Sequence, residues 1–139
     1  MIYRKFGSKY IVRIDKGEEV VERLKAFCGE TGIRLGSVVA IGAADRVKVG
    51  LRETATKTYL DRELTGDLEI TSLTGNVATM GGEVYLHLHV SLSDREYHAF
   101  GGHLRSARVS GACEVMIEVL DGSWERALDE ETGLNLLVG

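Results

Sequence analysis

From Ser37 to Leu120 apolar and polar residues alternate almost without interruption, and a period of two belongs to β-strands. SVVAIGAAD, RVKVGLRE, KTYLDRELT, DLEITSLTGNVAT, VYLHLHVSLS, REYHAFGGHL and GACEVMIEVL each read as a strand, parted by Gly, Asp or Asn. The hairpin-length spacing between them predicts a mostly antiparallel sheet. Composition agrees: 17 glycines with no proline suit turns and bulges in a β-rich fold, not a linker.

Ahead of this sheet, YIVRI (10–14) predicts a short strand. Asp15 and Glu18 have capping-box spacing, and Val20, Val21, Leu24, Phe27 and Cys28 follow at helical intervals, with Gly29 or Gly32 as the stop. The tail WERALDEETGLNLLVG predicts one short helical turn and an apolar end that packs back on the domain. No linker or repeat divides the chain, and 139 residues can bury a core without staples. Residues 1–139 therefore read as one α+β domain, a large mostly antiparallel sheet flanked by one main helix and one or two short ones.

A net charge of −4 and a pI near 5.6 argue against a nucleic-acid partner, which needs a basic surface. Arg4, Lys5, Lys9 and Arg13 near the start, and Arg105 and Arg108 later, read as solvated charge. The first residues lack the apolar stretch of a leader, and no window approaches 18 apolar residues. The expectation is a cytoplasmic protein that does not cross a membrane. Cys28 and Cys113 lie apart among apolar neighbours and read as buried reduced thiols.

The polar face of YLHLHVSLS (85–93) raises a chemical question. All four histidines, His87, His89, His98 and His103, fall between positions 87 and 103. Taking Asp94-Arg95-Glu96 as a three-residue hairpin loop keeps one apolar face whole, with Leu86 against Leu104 and Val90 against Phe100. In that register His87 faces His103, His89 faces Gly101, and the three imidazoles share a patch. An HxH pair alone is weak evidence, since exposed sheet faces carry histidine without a metal. A third imidazole brought in by a register chosen on other grounds points to a metal site of His87, His89 and His103, with zinc favoured and other transition metals open. Three ligands leave a fourth position for a small molecule. Gly101 and Gly102 would leave room beside it. Tyr85 and Ser91 share that face and could orient a ring. His98 reads as a surface or structural residue.

GDLEITSLTGN (66–76), LHLHVSLSD (86–94), GGHL (101–104), CEVMIEVL (113–120) and the WERALDEETGLNLL ending resemble the PPC domain, "plants and prokaryotes conserved". The resemblance implies a central antiparallel sheet flanked by helices, assembled as a homotrimer. It also implies that His87, His89 and His103 hold a metal, commonly zinc, as in prokaryotic members. In plants the domain follows AT-hooks in DNA-binding proteins, but a chain without proline carries no Arg-Gly-Arg-Pro hook. The domain's shape is also similar to that of acetolactate decarboxylase, a three-histidine zinc enzyme, which is likeness of fold only.

Three functions follow as expectations. The first is a zinc-binding homotrimer whose open site takes a small ligand or substrate. The second is a DNA-binding or regulatory module, and the third a zinc-dependent decarboxylase or hydrolase. A hydrolytic or decarboxylating site also wants an acid or base. Glu69, Glu83, Asp94 and Glu114 are the candidates, none of them placed beside the histidines by sequence, so catalytic residues stay unassigned.

Overall fold

A computed structural model describes residues 1–139. In chain order the elements are β1 (Ile2–Phe6), β2 (Lys9–Asp15), α1 (Val20–Thr31), β3 (Gly36–Glu53), β4 (Thr58–Met80), β5 (Glu83–Ser93), β6 (Ala99–Val119), β7 (Arg126–Asp129) and β8 (Leu134–Leu137). The alternation runs further than the sequence reading allowed. SVVAIGAAD and RVKVGLRE are both parts of β3, TYLDRELT and DLEITSLTGNVAT of β4, and AFGGHL and GACEVMIEV of β6, with REYH left in the loop before it. The supposed breaks in β3 are bulges, with register slips between Ala40 and Gly42 and between Ala44 and Arg46. A bulge bends a strand without ending it, and Gly and Asp serve there as readily as in a turn.

The large sheet runs β1-β2-β6-β3-β4-β5, antiparallel throughout, and β5 also pairs with the first residues of β6. β3, β4, β5 and β6 thus close on themselves. α1 packs against β5 and β6 and buries Val20, Leu24, Phe27 and Cys28. Phe27 meets Tyr3 and Tyr10 edge-on, with ring centroids at 4.9 and 5.3 Å. Both cysteines are free and buried, and burial pushes the Cys28 thiol up to about 12 and that of Cys113 up to about 11.

The helix begins one turn later than its apparent capping box. Glu19 is the N-cap, its carboxylate accepting from Val21 N at 3.1 Å, Glu22 N at 2.7 Å and Ala107 N at 2.7 Å. The Asp15/Glu18 pair instead shapes the preceding turn, where Glu18 accepts from Asp15 N at 2.9 Å. Gly32, at φ 72°, ends the helix in the left-handed conformation that glycine adopts at little cost.

The tail contradicts the expected helical turn, and α1 is the only helix. β7 and β8 pair as a hairpin in a second, two-stranded sheet. DEETG makes its turn: Asp129 accepts from Thr132 N at 2.8 Å and Thr132 Oγ1 at 2.6 Å, and Gly133 takes φ 66°. Just ahead of the hairpin, Trp124 O accepts from Thr79 N at 3.0 Å and ties the tail to β4, but Leu136, Leu137 and Val138 stay about two-fifths exposed, so the expected packing of the apolar end on the domain is only partial. No helix is long and apolar enough to cross a membrane.

Candidate metal centre

β5 separates its two sets of side chains cleanly. Leu88, Val90 and Leu92 are buried, while His87 and His89 project from the opposite face. On β6, Leu104 is buried and His103 faces the other way. Gly75 lets β4 approach beneath His87, since a Cβ there would collide with the His87 carbonyl.

The register corrects the sequence reading. His103 lies opposite His89, not His87, and Gly101 lies opposite Ser91. The difference comes from the loop, which spans five residues, Asp94–His98, rather than Asp94-Arg95-Glu96. Asp94 Oδ1 accepts from Glu96 N at 2.9 Å and His98 N at 3.0 Å, and Tyr97 takes a left-handed φ of 63°, a conformation more usual for glycine. A shift of two residues keeps every side chain on its face, so the imidazoles still converge.

Their ring centroids stand 5.2 Å (His87–His89), 5.4 Å (His87–His103) and 5.5 Å (His89–His103) apart. One nitrogen from each ring lies within 4.8 Å of those of the other two. Ligands about 2.0–2.1 Å from a tetrahedral zinc stand about 3.4 Å from one another, so modest ring rotations complete a set. Burial lowers the pKa of His87, and burial with the Arg105 charge lowers that of His103 to about 4. Both rings are therefore neutral near pH 7, the form that coordinates metal. Neither Tyr85 nor Ser91 is hydrogen-bonded to a ring: Tyr85 Oη accepts from Asn135 Nδ2 at 3.3 Å.

The glycines serve different ends. A Cβ on Gly101 would collide with the Val90 carbonyl, so its role is strand approach. Gly102 lines the pocket, and Gly50 on β3, opposite His103, leaves open the side where Tyr59 stands with its ring 6.0 Å from the imidazole.

The three histidines form one wall of a cavity of about 430 Å³. Leu51, Arg52 and Tyr59 line it from β3 and β4, Tyr85 from β5, and Arg126, Leu134, Asn135 and Leu136 from the tail hairpin. No carboxylate lines it. Glu69, Glu83 and Glu114 are exposed elsewhere on their strands, and Asp94 is committed to its loop. His98 is exposed and lies 3.4 Å from Asp94, apart from the three-histidine group. Sequence reading missed Arg52, Tyr59, Arg126 and Asn135. The one signal for the tail residues was the alternation of RALD and LNLL around DEETG, a hairpin pattern passed over for a helical one.

The chain is 39% identical to a protein of known structure from Bacteroides thetaiotaomicron that carries a provisional DNA-binding name. The match covers 99% of this chain and 96% of that one, with a TM-score of 0.96. A metal-containing protein from Archaeoglobus fulgidus is 37% identical over 100% of this chain and 99% of its own, with a TM-score of 0.90. The bifunctional protein GlmU of Synechococcus sp. is 28% identical over 127 residues, 89% of this chain, and the chain spans 19% of that relative's length. Acetolactate decarboxylase from Bacillus subtilis shares the fold at a TM-score of 0.54 and 17% identity, over 84% of this chain and 54% of its own. The family model of the Plants and Prokaryotes Conserved (PCC) domain matches residues 1–121. The sheet, the helix and the histidine-bearing strands all fall in that span, and the chain belongs to the Plants and Prokaryotes Conserved domain family.

Proposed function

We propose that this chain is a metal-binding protein in which His87, His89 and His103 hold a transition metal, zinc before others, and leave one position for a small ligand or substrate. The observation that carries this reading is the set of three imidazole nitrogens within 4.8 Å of one another in a pocket wall. Imidazole suits zinc, copper, iron and nickel, and a three-histidine zinc site is the open kind. A bound zinc would act as a Lewis acid toward an oxygen of the ligand. The chain itself holds and orients the ligand, and Tyr59 and Tyr85 offer hydroxyls at the pocket wall. A decarboxylase or hydrolase would have to work without a carboxylate of this chain in the pocket.

The reading includes a homotrimer in the cytoplasm. Ile11, Met116 and Val39 stand side by side across β2, β6 and β3, with Ile41 beyond, and all four are roughly half exposed. Such an apolar row on the outer sheet face supports self-association. Unpaired cysteines suit a reducing compartment. A DNA-binding role draws on the name of the Bacteroides relative, and the net charge of −4 weighs against it.

Zinc titration of chelator-treated protein against a competing chromophoric chelator tests the metal. Sub-micromolar binding by wild type and its loss in His89→Ala are expected, and equal affinity in both would refute the site. Sedimentation equilibrium reads the trimer. Salt-sensitive binding to arbitrary duplex DNA would restore the second reading.

A further inference from the structure

Two arginines in the pocket wall differ from the four that form ion pairs. Arg13, Arg23, Arg105 and Arg108 each meet a carboxylate. Arg126 is only 6% exposed, yet its partners are neutral: Nη1 donates to the Asn135 carbonyl at 2.7 Å and Nη2 to Asn76 Oδ1 at 2.9 Å. Arg52 likewise donates only to the carbonyls of Lys57 and Thr132. In both residues Nε is buried without a partner, and these are the only two buried side-chain nitrogen or oxygen atoms in the chain of which that is true.

Both line the histidine pocket. Burying a guanidinium without an anion carries a desolvation cost, and an orphaned buried donor calls for a reason. Two arginines without an anionic partner thus line one cavity whose walls hold no carboxylate.

We infer that this pocket binds a small carboxylic acid, its carboxylate paired with Arg126 and its charge further balanced by Arg52. Guanidinium matches a carboxylate by parallel N–H donors, and each Nη of Arg126 has a second N–H beyond the one given to the Asn135 carbonyl or to Asn76 Oδ1. Leu51, Leu134 and Leu136 give the short carbon chain an apolar wall, which favours an organic acid over inorganic phosphate. The volume of about 430 Å³ is at the small end for ligand pockets. An oxygen on the carbon next to the carboxylate would face the three histidines. That end of the ligand rests on the metal reading above, and the arginine end does not. Arg126, Leu134 and Leu136 belong to the hairpin beyond the residues matched by the family model, whereas Arg52 and Leu51 lie within them, so the acid-binding wall is supplied only in part outside that match.

The test is calorimetric titration of full-length protein, metal-free and zinc-loaded, with lactate, its neutral isostere lactamide, 2-oxobutyrate and inorganic phosphate. Lactate or 2-oxobutyrate should bind at least tenfold more tightly than lactamide and phosphate. The Arg52 and Arg126 Nε–H resonances should shift on titration. Arg126→Gln should weaken the acid at least tenfold while zinc stoichiometry stays as in wild type. Arg126→Lys, which keeps the charge but loses the fork, should fall between, and it guards against a misfolded Gln variant. Acid binding by a chain that takes no zinc would uphold the arginine site and defeat the metal reading alone. Equal binding of lactate and lactamide, preference for phosphate, no binding of either acid, or unchanged acid affinity in both Arg126 variants would overturn the proposal.

Discussion

Strands β5 and β6 each show one side to the core beneath α1 and the other to the histidine pocket, and the two sides treat polar atoms in opposite ways. On the covered side Glu19 commits its carboxylate to three backbone N–H groups, and around it Val20, Leu24, Phe27 and Cys28 are dry. On the pocket side Arg52 and Arg126 keep Nε unpartnered, and His87 and His103 are held neutral by burial. The covered side has its donors and acceptors matched within the chain, while the pocket keeps donors and lone pairs unmatched. Stability therefore resides on one face of these strands and binding capacity on the other.

Substitutions on either face can break that division. The largest effect should come from Phe27→Ala, which opens a cavity among Tyr3, Tyr10 and the core and should cost about 3–5 kcal/mol by urea denaturation. Zinc per folded chain should not change, and loss of metal in the folded fraction would mean the faces are coupled. Glu19→Ala removes the helix cap and the acceptor for Ala107 N, and should cost about 1–2 kcal/mol.

On the pocket side the cost should be smaller. Arg126→Met removes a buried charge that has no anionic partner, so metal-free stability should stay within about 1 kcal/mol of wild type. A cost like that of Phe27→Ala would make Arg126 a structural residue.

The smallest effect is a pH dependence of the metal-free protein. The folded pKa of His103 is about 4, below its ordinary value of 6.5. Between those values the unfolded chain takes up a proton that the folded chain refuses. Stability should therefore decline as pH falls from 6.5 towards 4, and the loss should be complete below that. Screening at a half-exposed ring keeps the change under about 1 kcal/mol. His103→Gln should flatten the profile, and an unchanged profile would assign the titration elsewhere.

Side-chain faces were legible in the sequence because alternation alone decides them, and so His87, His89 and His103 were grouped correctly even though the pairing was shifted. The register was not legible, because it depends on a loop closed by the Asp94 carboxylate and on a positive φ at Tyr97, a residue that gives no such signal. Strand lengths were misjudged where a bulge and a turn use the same residues, as around Asp45. Arg126 went unseen because its meaning depends on contacts across 50 residues, to Asn76 on the strand opposite His87. A buried cation on a hairpin leaves no local pattern.

The most direct test of the account is the metal content of protein purified without a histidine tag or chelator, wild type beside His103→Ala. The account predicts about one transition-metal ion per wild-type chain, zinc foremost, and loss of most of it in a variant that stays folded. Wild type that holds no metal after incubation with excess zinc, or a His103→Ala chain that retains it fully, would contradict the claim that these three histidines are a metal site.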